Sequence, residues 1–296
     1  MPFIGEFTAI LTAVLWSGTA IAFSEASIRI GSFYVNVARL IFAVVYLSIT
    51  ILIFGLDISL SGSQIFYLFG SGVVGLVLGD TYLFKAYQHI GARLSMLLMS
   101  SSPAMAAVLA YFFLGETIST LGIIGMFVTA AGIAMVVFQR QEVPSTIYKI
   151  DYSGIVFGLI GALGQAGGLI LAKKAFNEGD VNGFVAAFFR IISALIILYP
   201  LTMMTKKFVK PIEKFRSNKP ALVFTIIGSI IGPFLGITFS LISITYAKVG
   251  IASTLMATVP IIMLPMVKYY YKEKLSTISI AGAFIAVAGI MVLFLR

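Results

Sequence analysis

Apolar runs of about twenty residues, the length a helix needs to cross a bilayer, recur from one end of this 296-residue chain to the other. Ten can be placed, at 4–24, 32–54, 65–85, 94–114, 119–138, 153–172, 182–204, 221–243, 250–271 and 276–295, and no stretch between them is long enough for a soluble domain. With 60% hydrophobic residues, 10% charged residues and a mean hydropathy of +1.07, the chain has too little polar surface to cover a soluble globule. The expected class is an all-α, multi-pass membrane protein of ten transmembrane helices. The opening MPFIGEFTAILTAVLW has neither the basic leader nor the small-residue cleavage site of a signal peptide, so the first span is expected to be kept. The lack of cysteine removes disulfides and thiolate metal sites, and the single histidine, His89, reads as a loop residue between spans three and four.

The net charge of +9 is an orientation signal rather than a nucleic-acid signal, because the basic residues crowd into short loops beside the spans. Residues 205–219, TKKFVKPIEKFRSNK, carry six, and 268–274, KYYYKEK, carry three. Arg29, Lys85, Arg93, Arg140 and Lys149 also follow odd-numbered spans, whereas the other side has little beyond Lys173, Lys174, Lys248 and Arg296. The positive-inside rule therefore puts the odd-numbered loops in the cytoplasm and both termini outside.

The chain is written twice. At an offset of 157, Gly75, Gly79, Thr81, Leu98, Met99 and Pro103 recur as Gly232, Gly236, Thr238, Leu255, Met256 and Pro260, and Glu116, Gly125 and Gly132 recur as Glu273, Gly282 and Gly289. Nearer the start the register shifts: GTAIAFSEA at 18–26 lies over GGLILAKKA at 167–175, and Arg39 pairs with Arg190. The reading is a first five-span repeat over 1–138, a linker over 139–152 and a second five-span repeat over 153–296. Because five is odd, the second repeat enters the membrane from the opposite side. Inverted repeats are a recurring architecture of secondary transporters, with substrate bound near the midplane where the halves meet. Gly75 and Gly79, like Gly232 and Gly236, recur at four-residue spacing and predict close helix contact, and Gly125 and Gly132 with Gly282 and Gly289 predict a tight scaffold of spans five and ten.

Pro103, in LMSSSPAM, and Pro260, in LMATVP, fall near the centres of spans four and nine, where a proline removes a backbone hydrogen bond and frees a carbonyl, that of Met99 in the first case. Neighbouring hydroxyls are placed to satisfy it, and the duplication of the break points to paired bends that gate a cavity. Trp16 is the only tryptophan and lies at mid-span rather than in an interfacial belt. It is a candidate cavity wall, with the amide of Gln165 near its symmetry position and Tyr82, Ser100, Ser102 and Thr258 completing a ring of aromatic and hydroxyl groups. Arg39 and Asp80 sit at comparable depth and are expected to form a buried ion pair. Arg190 matches Arg39, but Ile237 replaces the acid that Asp80 supplies, so Arg190 is the candidate for a substrate carboxylate. Glu116 and Glu273 read as interfacial residues at the positive ends of the following helices.

These residues resemble the EamA-like family of the drug/metabolite transporter superfamily. The resemblance rests on AVLWSGTAIA (13–22), NVARLIFAV (36–44) and GDTYLFKAYQHIGARLSMLLMSSSPAMAAVLAYFFLGETIS (79–119), with its weaker copy at 236–276, and spans the whole chain. It implies a helical basket around a central cavity and gradient-driven transport, most often export, of amino acids or other small metabolites across the cell membrane, the inner one in a bacterium. It implies no cofactor and no nucleic acid, requires no oligomer, and leaves room for a coupling ion such as a proton. In the second copy YYYKEK replaces the usual glycine before Glu273. Family members are usually drawn with both termini in the cytoplasm, against the charge count, which is the expectation kept here. The competing classes are an intramembrane lipid-modifying enzyme and a non-transporting receptor. The enzyme would need an HExxH, a DDxxD or a cysteine, all absent, and a pump would need a GxxxxGK[ST] loop, also absent.

Overall fold

The computed structural model describes residues 3–115, 117–138, 151–204, 210–246 and 255–294. Every regular element among them is helical. In the first half these are α1 (Ile4–Ile30), α2 (Ser32–Phe54), α3 (Gly62–Ser71), a π-helical stretch (Gly72–Gly79), α4 (Asp80–Met99), α5 (Ser102–Leu114) and α6 (Thr120–Phe138). The second half has α7 (Tyr152–Asn177), α8 (Gly183–Met204), the short α9 (Pro211–Ser217), α10 (Lys219–Ser229), a second π-helical stretch (Ile230–Gly236), α11 (Ile237–Tyr246), α12 (Val259–Tyr270) and α13 (Thr277–Phe294).

Eight helical stretches among the described residues are long and apolar enough to cross a membrane; α5 and α12 are apolar but shorter. The difference from ten full spans has a local cause. Span four is divided: its first part ends at Met99, Ser100 and Ser101 make a turn, and α5 starts afresh at Ser102. Span nine is divided in the same way, with Ala257 and Thr258 at the turn before α12. Pro103 and Pro260 therefore sit in the first turn of new helices, where the backbone N–H has no intrahelical partner to lose, and not inside a continuous helix as the sequence reading had them.

Span three is longer than its hydropathy suggests. It runs from Gly62 to Ile90, and Gly91, at φ 73° and ψ 173°, turns the chain directly into span four. Gly31, at φ 100°, does the same between α1 and α2. Such backbone angles are cheap only for glycine, which is why these hairpins need no loop. His89 consequently lies in the last turn of a helix rather than in a loop.

The two halves meet in pseudo-symmetric pairs. α6 and α13 cross antiparallel, with Gly125 against Gly289 and Leu293, and Gly132 against Gly282 and Ala286. A methyl group at Gly132 would come within 2.3 Å of the Ala286 nitrogen, and one at Gly289 within 2.3 Å of the Thr129 nitrogen, so only glycine permits this approach. Thr129 donates a hydrogen bond to the Ala286 carbonyl across the crossing (3.3 Å), and these two residues are themselves 157 apart. The first π-helical stretch packs on α7, Gly75 and Gly79 meeting Gly168 and Gly164, and α10 with the second packs on α1, Gly228 of α10 meeting Phe23, and Gly232 and Gly236 meeting Thr19 and Trp16. The outer surface carries exposed Phe66, Phe112, Phe127, Phe138 and Leu52, as lipid contact requires.

Candidate functional site

Arg39 lies eight residues beyond Gly31 and Asp80 eleven before Gly91, so at 1.5 Å per residue the two sit roughly 12 and 16 Å in from the face that carries both glycine turns. Arg190 lies seven residues into α8, which enters from the other face, and is therefore about 10 Å from that side of a core about 30 Å thick. On this count Asp80 stands midway between two arginines contributed by the two halves.

The side chains follow from that placement. Arg39 and Asp80 are both 5% exposed and form an ion pair through Nη2 and Oδ2. Arg39 Nε donates to Asn36 Oδ1 (2.9 Å), and Asn36 Nδ2 donates to Thr81 Oγ1 (3.2 Å), which ties α2 to α4. The other carboxylate oxygen of Asp80 accepts from Gln165 Nε2, which also donates to the Gly75 carbonyl (3.2 Å). Gln165 can reach them because the glycine face of α7 brings the π-helical stretch close; a methyl group at Gly79 would lie 3.1 Å from the Gln165 nitrogen. The Arg39 guanidinium lies over Phe84 (5.0 Å) and Phe23 (5.9 Å), rings that exclude water and add cation–π attraction. A buried pair of this kind owes its stability to such secondary hydrogen bonds as much as to charge.

Arg190 is different. Its Nε is buried without a hydrogen-bond partner, and none of the ion pairs among the described residues includes it. Asp80 is close enough for the two charges to interact, and the Arg190 Nη2 lies against Gly75.

The other expected site residues fall outside this cluster of contacts. Trp16 packs into the core beside Phe23 and Phe84 and against Gly236, the pseudo-symmetric counterpart of Gln165 against Gly79. Ser100 donates to the Leu97 carbonyl (2.5 Å), Ser101 to that of Leu98 (2.7 Å), and Thr258 to that of Leu255 (2.6 Å). These carbonyls, one and two residues before the Met99 carbonyl expected from sequence in span four, also accept the backbone N–H of the same three residues, so the hydroxyls reinforce the turns at which spans four and nine break. Ser102 is the first residue of α5 and half-buried. Tyr82 packs on Phe157, and the Lys85 ammonium lies over both rings at 4.8 and 5.3 Å.

Sequence reasoning missed Asn36 and Thr81, for which the available signal was a polar residue beside each member of the Arg39–Asp80 pair, three positions before the arginine and one after the acid. It also missed a second constellation at the face of the glycine turns. A cavity of about 400 Å³ there is lined by Gly31, Phe33, Lys85, Gln88, His89 and Phe157. His89 Nδ1 lies 3.1 Å from Asp151, at the N-cap of α7, and Arg93 Nε donates to Glu273 (2.8 Å). Both pairs join one half to the other. Hydrogen bonds from Ser153, and the His89 contact, hold the Asp151 carboxyl below the usual carboxylate range. Glu273 is therefore an ion-pair residue more than a helix-dipole residue, and Glu116 lies outside the described residues. A second cavity, of about 550 Å³, is an apolar groove lined by Ile41, Leu195, Ile196, Tyr199 and Pro200.

The EamA-like transporter family model matches this chain twice, over residues 3–138 and 152–295. No curated protein matches. A crystal structure described only as that of a protein is similar in fold, with a TM-score of 0.68 at 18% identity over 98% of this chain and 94% of that one.

Proposed function

From the premise that this chain belongs to the EamA-like transporter family, a membrane-transporter family, we propose that it is a secondary transporter that exports small organic solutes, amino acids or related metabolites, by alternating access. The observation that carries the reading is the polar cluster of Arg39, Asp80, Gln165 and Arg190 at mid-membrane depth between the two repeats. Intramembrane charges are costly enough that a chain retains them for pairing or for function. In this reading Trp16, Tyr82, Ser100, Ser102, Gln165, Arg190 and Thr258 line the substrate route. The divided spans at Pro103 and Pro260 move as its gates, the Arg39–Asp80 pair ties their neighbouring helices together, and an ion gradient such as that of protons drives the cycle. The inward and outward states differ by the exchange of conformations between the two repeats.

Sealed vesicles containing the pure protein, preloaded with one of a panel of unlabelled amino acids and metabolites, test this by counterflow of the labelled compound. Transient accumulation above equilibrium is expected for at least one compound, and its loss in Asp80→Asn with retained folding would assign the coupling role. Absence of counterflow across the panel, together with turnover of a membrane lipid, would overturn the reading.

A further inference from the structure

Arg190 occupies the place of Arg39 in the second repeat, 151 residues on, but with both of Arg39's partners deleted. The residue corresponding to Asn36 at the same offset is Ala187, and the residue corresponding to Asp80 at the 157 offset is Ile237. The structure bears the deletion out atom by atom: Arg39 spends its Nε on Asn36 and its Nη2 on Asp80, whereas Arg190 Nε is buried with no acceptor. Asp80 gives Arg190 no hydrogen bond in this arrangement, its oxygens accepting from Arg39 and Gln165 instead. Two guanidiniums and one carboxylate leave the cluster with one uncompensated positive charge. Of the other acids, Glu25 pairs with Arg29 and Glu273 with Arg93.

Arg190 does not escape to the interface. It shares a helical face with Ala186, Ala187 and Ala194, all buried, so that face is turned toward the interior of the bundle. Its Nη2 lies against Gly75, where the lack of a side chain leaves the guanidinium facing backbone, 3.4 Å from where a methyl group would stand. An unpaired charge at this depth is unfavourable until a counter-ion arrives. A guanidinium has the fork of donors that matches a carboxylate.

We propose that Arg190 is the anchor of a binding site for a single carboxylate group carried by the transported solute, with the Arg39–Asp80–Gln165 network as its fixed neutral wall. This rests on the transporter reading only in calling the anion a substrate. It makes the substrate class a carboxylic acid or an amino acid held by its carboxylate, and it makes the site asymmetric although the scaffold is pseudo-symmetric.

The test uses the full chain in detergent or nanodiscs and compares carboxylates with their own amides, benzoate against benzamide and L-leucine against L-leucinamide, by thermal shift and equilibrium binding. At least one carboxylate is expected to bind roughly tenfold or more tightly than its amide, the range of a lost charge-assisted bond. Arg190→Gln should abolish that difference and Arg190→Lys keep part of it. Without any ligand, Arg190→Gln should be at least as stable as the native chain, since it removes an uncompensated charge, whereas Arg39→Gln should be less stable. Equal binding of every acid and amide, a preference that survives Arg190→Gln, saturation by chloride alone at the same site, or destabilisation by Arg190→Gln equal to that by Arg39→Gln would each overturn the proposal. Carboxylate binding without counterflow of any compound would keep this site and remove the transporter reading; counterflow of neutral solutes without carboxylate preference would do the reverse.

Discussion

At the scale of single residues the pair formed by Arg39 and Asp80 is the most buried ion pair among the described residues, and each is the other's counter-ion. Removing one partner from such a pair costs about 3–5 kcal/mol. Asp80→Asn is therefore expected to lower the melting temperature and the abundance of the protein, and exchanging the two residues so that position 39 is acidic and position 80 basic should recover part of the loss. An Asp80→Asn protein that melts like the native chain and loses only ion coupling would reassign Asp80 from structure to proton linkage. Asp151 gives a pH-dependent counterpart at the surface. Its carboxyl is held low in the folded protein, so its contribution is present above the unfolded carboxylate value of about 3.9 and is lost as pH falls through the lower folded value. Asp151→Asn should destabilise the protein at neutral pH, with the deficit closing in acid; thermal unfolding across pH reads this directly, and a pH-independent deficit would refute it.

At the scale of elements the divided spans carry the argument. Because Pro103 and Pro260 stand in the first turns of α5 and α12, changing both to alanine restores no hydrogen bond that the helices lack. The breaks are held instead by Ser100, Ser101 and Thr258, whose hydroxyls donate to the carbonyls of Leu97, Leu98 and Leu255. The double alanine variant is expected to fold with a stability change within about 1 kcal/mol, the scale of a proline's effect on the unfolded chain. Its counterflow rate should fall while its melting temperature holds. Native transport kinetics from the double variant would remove the gating role. Scaffold and proposed gates separate in the same terms: α6 and α13 are locked at glycines that admit no methyl group, whereas the breaks in spans four and nine sit beside serine and threonine hydroxyls.

At the scale of the whole molecule the basic loops gather on one face. His89 meets Asp151, Arg93 meets Glu273, and the Lys214 ammonium lies over the ring of Tyr34, so the connection after span three neighbours those after spans five and nine, and the connection after span seven neighbours that after span one. If that face is cytoplasmic, as the charge count requires, a cysteine at Ser217 should be shielded from an impermeant thiol reagent in intact cells, and one at Glu178 should react. With no native cysteine the labelling is clean. The opposite pattern would turn the molecule over and give the family's usual drawing.

Periodicity and duplication in the sequence were enough to establish a helical membrane protein of two repeats, because hydropathy over twenty residues and a shared offset are properties of the chain alone. The Arg39–Asp80 contact was legible for the same reason: depth along a helix is counted in residues. The chain alone did not determine where span three ends, since Gly91 turns the backbone without the polar loop that hydropathy detects. Nor did it reveal that Gln165 completes the Asp80 site, which depends on the close approach of the π-helical stretch to α7 at Gly79 and Gly164. The isolation of Arg190 lay between the two. Sequence shows that the acid is missing from its repeat, but only the tertiary structure decides that the acid from the other repeat turns its oxygens to Arg39 and Gln165 and leaves Arg190 without a hydrogen bond, because side-chain direction is set by packing between helices.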